Sequence, residues 1–189
     1  MSTSKKDREH PILVIAGTNR PGALAEIVAN YYVSILAKEG KQAQLLSLNR
    51  LEPDFIVKAL YANKGKDPAF NTLVREIEQA QKMVFIVPQY NGSFPGVLKT
   101  FIDGLEVGAA DQGKVFRYKK CALVGVSKGY QGNILGLSHL TDILEYLGMQ
   151  VLPIKPYLSR ISPPSMEAFE AHPRYLTRLQ EQAKHFIRF

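Results

Sequence analysis

Three short runs carry groups suited to holding a polar ligand. They are Gly17-Thr18-Asn19-Arg20-Pro21-Gly22, Pro88-Gln89-Tyr90-Asn91-Gly92-Ser93 and Gly125-Val126-Ser127-Lys128-Gly129. The middle run is the most informative. It sets backbone amides, an amide side chain and a hydroxyl beside an aromatic ring, and it lies between the apolar run Met83 to Val87 and Phe94-Pro95-Gly96. That mixture suits a flat heterocycle with many acceptor atoms, such as a flavin. The first run enters a helix. Unpaired N–H groups and the helix dipole there favour a phosphate by ~0.3–1 kcal/mol per charge at exposed sites. Thr18 adds a hydroxyl and Arg20 a full charge. Its spacing resembles a P-loop, but Ala23-Leu24 stands where that loop needs Lys and Ser/Thr. No G-x-G-x-x-G fingerprint is present here either, so a monophosphate fits better than an NTP–magnesium complex or a Rossmann-bound dinucleotide.

The third run also satisfies the G-x-S-x-G pattern of a hydrolase nucleophile elbow at Ser127. A serine hydrolase needs an acid and a histidine at strand ends downstream. The histidines available are His139, inside the next helix, and His172 and His185, in or beside the last. Asp142 and Glu145 fall mid-helix, and no His-Gly-Gly segment lies upstream. The competing reading of Ser127 is a turn or helix-entry hydroxyl. One cysteine and four scattered histidines give no metal-ligand spacing.

Alternating strands and helices must position these runs. Ile12 to Ala16, Gln42 to Leu48, Met83 to Val87, Cys121 to Val126 and Gln150 to Ile154 read as strands. Helices are expected over about 22–38, 70–81, 95–105, 134–148 (after a loop from Lys128 to Asn133) and 166–186. Their inward stripes include Leu24, Ile27, Val28, Tyr31 and Ile35 in the first, and Leu176, Leu179, Ala183 and Phe186 in the last. Pro95 suits a first helical turn. Residues 49–68, with Pro53, form a long connection, and Tyr61 within it either reaches a neighbouring subunit or packs on its own core. Pro153, Pro156, Pro163 and Pro164 mark an irregular stretch after the fifth strand. This alternation implies an α/β fold: a five-stranded parallel sheet in the flavodoxin-like order 2-1-3-4-5 with helices on both faces. The first, third and fourth strand-to-helix loops then open on one edge, at the topological switch point where FMN binds in that fold.

The chain has 189 residues, 46% hydrophobic and 22% charged, which excludes a disordered chain and fits one folded domain over 11–189 behind a disordered tail at 1–10. Its formal net charge is +7. The cations are spread out, with modest clusters at Lys5-Lys6 and Lys114 to Lys120 and no aromatic-interleaved stripe. That favours anionic small molecules over nucleic acid. Cys121 lies in an apolar run and reads as a small buried hydrophobe, which points to a reducing, cytoplasmic setting. No secretory h-region and no span-length apolar stretch is present, so no membrane is expected.

Taken together, the loops resemble the NAD(P)H-dependent FMN reductase family, flavodoxin-like enzymes that include chromate, quinone and azo-dye reductases. Pro88, Tyr90-Asn91-Gly92-Ser93, Pro95-Gly96, Leu98-Lys99 and Asp103 resemble its flavin-contacting motif. Gly17-Thr18-Asn19-Arg20 is similar to its phosphate loop, and Ser127, Gly129 and Gly132 to its third loop. The resemblance implies that Thr18 and Arg20, within Gly17, Thr18, Asn19, Arg20 and Gly22, hold the FMN phosphate. Pro88, Gln89, Tyr90, Asn91, Gly92 and Ser93 would line the isoalloxazine edge, and Ser127, Lys128 and Gly129 would flank its other side. Ala23 departs from a common serine, Gln89 from a common glutamate, and Lys128 and Tyr130 from small residues. The implied function is an FMN-dependent oxidoreductase. It would take hydride from NADPH or NADH and reduce free flavin, quinones, azo compounds or metal oxyanions, with the cofactor carrying the redox chemistry. Family members are usually homodimers or homotetramers. An FMN-binding electron carrier without NAD(P)H turnover shares every loop, and the serine hydrolase at Ser127 is the third reading.

Overall fold

The computed structural model describes residues 10–52, 54, 66–108, 115–161, 169 and 172–189. Nearly all of the 1–10 tail, Pro53, Tyr61, most of the 49–68 connection, Lys114, Pro163, Pro164 and Met166 lie outside the described residues. Four strands run parallel: β1 (Ile12–Ala16), β2 (Ala43–Ser47), β3 (Lys82–Pro88) and β4 (Lys120–Val126). The sheet order is β2-β1-β3-β4-β5, as the sequence implied. In register, Val14 faces Val84 and Phe85 faces Leu123.

The fifth lane differs in detail. In place of one strand over 150–154 there are two short ones, β5 (Gln150–Val151) and β6 (Tyr157–Leu158), which pair with opposite ends of β4. Pro153 and Pro156 lie in the gap, where a proline has no N–H to give the ladder. A side chain fills the break. The buried amide of Gln182 donates to Leu123 O at 2.9 Å and to Ile154 O at 2.7 Å.

Among the described residues five α-helices cover the sheet: α1 (Leu24–Lys38), α2 (Pro68–Gln79), α3 (Gly96–Gly108), α4 (Ile134–Tyr146) and α5 (Pro173–Arg188). Alternation along the strands sorts the core into two layers. Leu13, Ile15, Met83, Phe85, Cys121 and Leu123 pack against α2, α3 and α4. Val14, Val84, Ile86, Ala122 and Val124 pack against α1 and α5. Both faces are buried, so the strands read as continuous apolar runs rather than alternating ones. Burial pushes the Cys121 thiol up to about 12.

Local signals set the helix ends. Asp67 caps α2 by accepting from Phe70 N at 3.0 Å, and Pro68 opens the first turn. At the other end of α5, Lys82 Nζ donates to Phe186 O and Ile187 O at 3.1 and 2.9 Å. Lys120, paired with Lys82 across β3 and β4, reaches Phe189 O. Two strand-end cations thus meet the negative end of a helix dipole. The buried face of α1 includes Ala25, Ala29, Tyr32 and Leu36 as well as Val28, Tyr31 and Ile35. Leu24 and Ile27 are only half-buried, for a reason given below.

Candidate functional site

The carboxyl ends of β1, β3 and β4 face one edge of the sheet, and their three loops enclose a cavity of about 560 Å3. From the first loop it takes Arg20, Gly22 and Ala23; from the second, Pro88, Gln89, Tyr90, Asn91 and Gly92; from the third, Ser127, Lys128 and Gly129. The first turns of α1 add Leu24, Ala25 and Ile27, and β4 adds Val126. Ten of the fourteen residues singled out from the sequence therefore line one hollow. Gly17, Thr18, Asn19 and Ser93 are outside this lining.

The second loop is a tight two-residue hairpin. Tyr90 N donates to Ser93 O at 2.8 Å and Ser93 N to Tyr90 O at 3.0 Å. Asn91 (φ 47°) and Gly92 (φ 87°) both take positive φ, as the centre of a type I′ turn requires, which explains the Asn-Gly dipeptide. The hairpin pairing uses the main chain of Tyr90 and Ser93 and takes nothing from the two central N–H groups.

Side chains lock the loops together. Thr18, buried behind the first loop, shares a 2.8 Å hydrogen bond between its Oγ1 and Tyr90 Oη. Arg20 N donates to the same Oγ1 at 3.2 Å. The second and third loops meet through Asn133. Its N–H donates to Gln89 Oε1 at 3.1 Å, and its Nδ2 donates to Val87 O and Pro88 O at 3.2 and 3.1 Å. Gly132 must be small. A Cβ there would lie 2.8 Å from Tyr157 Cβ, and one on Gly125 would lie 2.0 Å from Gly132 O. Asn133 carried no expectation beyond ending a loop; its position between Gly132 and the helix start is the signal that could have found it.

Ala23 is the N-cap of α1 and offers no side-chain cap; Glu26 N donates to Ala23 O at 2.9 Å, and no capping side chain claims the N–H groups of Leu24 and Ala25, which border the cavity. Leu24 and Ile27 fit an inward helical stripe by spacing and pack on the core layer of α1 and α5, but each also borders the cavity, which leaves it half-buried. Pattern alone does not separate these two apolar surroundings.

The lining holds two cations, Arg20 and Lys128, and among the described residues no carboxylate or imidazole. That composition attracts anions and supplies no side-chain acid–base pair. Ser127 is committed within its own loop. Its Oγ donates to Gly129 O at 3.0 Å and accepts from Gly132 N at 3.1 Å. His139 packs on Phe94, with ring centroids 5.2 Å apart, and His172 packs on Tyr175. Ser127 is therefore a turn hydroxyl with no histidine base beside it.

A family model described as NADPH-dependent FMN reductase matches residues 11–160. The chain belongs to this family. Among curated relatives, an FMN-dependent NADH:quinone oxidoreductase of Bacillus anthracis is 28% identical over 105 residues, covering 47% of this chain and 48% of the relative. An NAD(P)H-dependent FMN reductase of Pseudomonas aeruginosa is 32% identical over 112 residues, covering 59% and 57%. The chain spans about half the length of the curated relatives it matches. Among solved structures, the apo NADH:FMN oxidoreductase EMOB superposes with a TM-score of 0.73 at 19% identity, covering 94% of this chain and 88% of that one. FerB, an NAD(P)H:acceptor oxidoreductase from Paracoccus denitrificans, gives 0.71 at 19% identity, covering 94% and 95%. At that identity the likeness is one of fold, and it matches the family's flavodoxin-like architecture.

Proposed function

We propose that the protein is an FMN-dependent NAD(P)H oxidoreductase whose cofactor lies in the three-loop cavity. The observation that carries this reading is the cavity's make-up: an uncapped helix amino terminus and Arg20 on one wall, a type I′ amide turn on the next, and, among the described residues, no carboxylate or imidazole. These residues fit FMN. The α1 N–H groups and Arg20 would hold its phosphate. Pro88, Gln89, Tyr90, Asn91 and Gly92 would border the isoalloxazine, with Ser127, Lys128 and Gly129 along its far side. Thr18 would act one step back, through its hydrogen bond to Tyr90, and Gly17, Asn19 and Ser93 would shape the loops.

The chemistry FMN supplies when bound is two-electron transfer between a reduced nicotinamide and an acceptor such as a quinone, free flavin, azo compound or metal oxyanion. The chain's own part is orientation and charge. The free N–H groups of Asn91 and Gly92 would stabilise negative charge on a reduced ring, as an oxyanion hole does. Leu24 and Ile27 would keep water from the inner wall.

The reading takes residues 11–189 as one cytoplasmic binding domain, with a homodimer or homotetramer as the assembly. Tyr146, 89% exposed on α4, borders a hollow of about 540 Å3 against α3 that includes Ile102, Val107, Ile143 and Leu147, a surface suited to a second copy. Among the described residues no helix is long and apolar enough to cross a membrane.

The test is turnover. Protein supplied with saturating FMN should oxidise NADPH or NADH in the presence of a quinone. Bound FMN without dinucleotide oxidation would leave the electron-carrier reading, and no FMN binding would overturn both.

A further inference from the structure

At the outer edge of the third loop, Tyr130 is 78% exposed, and the guanidinium carbon of Arg160 sits 3.9 Å from its ring centroid. We propose that Tyr130 and Arg160, with Lys128, form a second anion subsite at the cavity rim that grips the phosphorylated adenosine end of NADPH and so selects it over NADH. This rests on the oxidoreductase reading above.

The pair is held in place. Arg160 N donates to Gly129 O at 2.7 Å, Ser127 N to Leu158 O at 2.9 Å and Ile161 N to Ser127 O at 3.2 Å. These bonds sew the segment after β6 to the third loop. Arg160 takes φ 52°, a left-handed conformation uncommon for a residue other than glycine, and Tyr175 Oη donates to the adjacent Ser159 O at 2.6 Å. Among the described residues neither Arg160 nor Lys128 has a carboxylate partner, so their charges are uncompensated.

The sheet order separates this subsite from the first. Loop one follows β1, while Arg160 follows β6, three lanes away across β3 and β4. At the spacing of parallel strands that is roughly 14 Å. Arg20, Gly22 and Ala23 line the cavity on the phosphate side, whereas Tyr130 and Arg160 lie outside that lining, so they are placed to meet a second anion. An arginine stacked on tyrosine is matched by a ligand that joins a ring to a phosphate. The stacked guanidinium keeps its in-plane N–H fork for phosphate oxygens, and the outer face of the tyrosine is free for a purine. The 2′-phosphate beside adenine has that form; NADH lacks this phosphate and a metal oxyanion lacks the ring.

Two measurements test the proposal on the FMN-loaded protein. Calorimetry with 2′,5′-ADP and 5′-AMP reads the subsite without turnover. The wild type should bind 2′,5′-ADP more tightly, and Arg160→Ala should weaken that binding at least about ten-fold, with Arg160→Lys between the two. Steady-state kinetics should give a wild-type kcat/KM higher for NADPH than for NADH, and a ratio that falls at least about ten-fold in Arg160→Ala and falls also in Tyr130→Ala. Equal binding of 2′,5′-ADP by wild type and Arg160→Ala, or an unchanged ratio, would overturn the subsite. Weakened 2′,5′-ADP binding in Arg160→Ala, with no oxidation of either dinucleotide by wild type, would support the subsite and overturn the oxidoreductase reading instead.

Discussion

Thr18 and Tyr90, 72 positions apart in sequence, share a 2.8 Å hydrogen bond between Oγ1 and Oη. It fastens the phosphate-side loop to the amide turn, so the two walls of the cavity keep one spacing. Removing either hydroxyl loses a neutral hydrogen bond worth about 0.5–1.5 kcal/mol. Tyr90→Phe and Thr18→Val should each weaken FMN binding several-fold in a fluorescence-quenching titration, and the double variant should be little worse than either single one. Fully additive losses would mean that the two hydroxyls act separately.

Asn133 answers two carbonyls at the end of β3 and the Gln89 side chain on the second loop while sitting at φ 66°. Asn133→Ala leaves the Val87 and Pro88 carbonyls without that donor and strains the backbone. A loss of about 1–3 kcal/mol is expected, read as a lower urea midpoint with an unchanged slope. Asn133→Gly relieves only the strain and should recover only part of it. Full recovery with glycine would show that the side-chain bonds contribute nothing.

Gln182 bridges the split fifth lane. Gln182→Leu keeps the bulk but removes the donor to Leu123 O and Ile154 O. About 1–3 kcal/mol should again be lost, and hydrogen exchange should quicken in β6 more than in β1. Uniform quickening would argue against a local bridge.

Lys119 Nζ donates to Ile77 O and Glu78 O at 2.7 and 2.8 Å, capping the carboxyl end of α2. Burial draws its pKa from 10.5 down to about 8, against the pull of Glu78 and Glu106. Between those values the unfolded chain holds a proton that the folded chain has released. Stability therefore rises with pH across this window and is fully penalised below about 8. Compared with Lys119→Met, the wild type should gain in urea midpoint from pH 8 to pH 10.5. A difference that stays flat over that range would contradict the burial.

The Cys121 thiol is buried in the sheet and pushed up to about 12. At pH 8 a thiol reagent should label it only as fast as the protein unfolds, and immediately in denaturant. Rapid labelling of the native protein would place the β4 core at the surface.

Much of this was legible in the residues. The parallel α/β class follows from apolar runs bounded by Gly17, Gln89 and Ser127, while the order 2-1-3-4-5 rests on the loops, since a Rossmann sheet is built from the same alternation. The three loops meet where the topology put them, whereas the type I′ turn at Asn91-Gly92 went unread although the dipeptide is a signal for it. What stayed hidden depends on long-range partners. Thr18 reads as a phosphate ligand until Tyr90 is placed beside it. Asn133 and Gln182 look like ordinary polar residues until the carbonyls they satisfy are known. The split in the fifth lane is visible as Pro153 and Pro156, but the return of Tyr157 to β4 is not, since two residues carry no period.

The most direct measurement is titration of FMN into the purified protein by calorimetry, with wild type and Arg20→Ala in parallel. Saturation at one FMN per chain is expected, with binding at least several-fold weaker in Arg20→Ala. No heat of binding in the wild type, or equal affinity in both proteins, would contradict an FMN site built on the first loop.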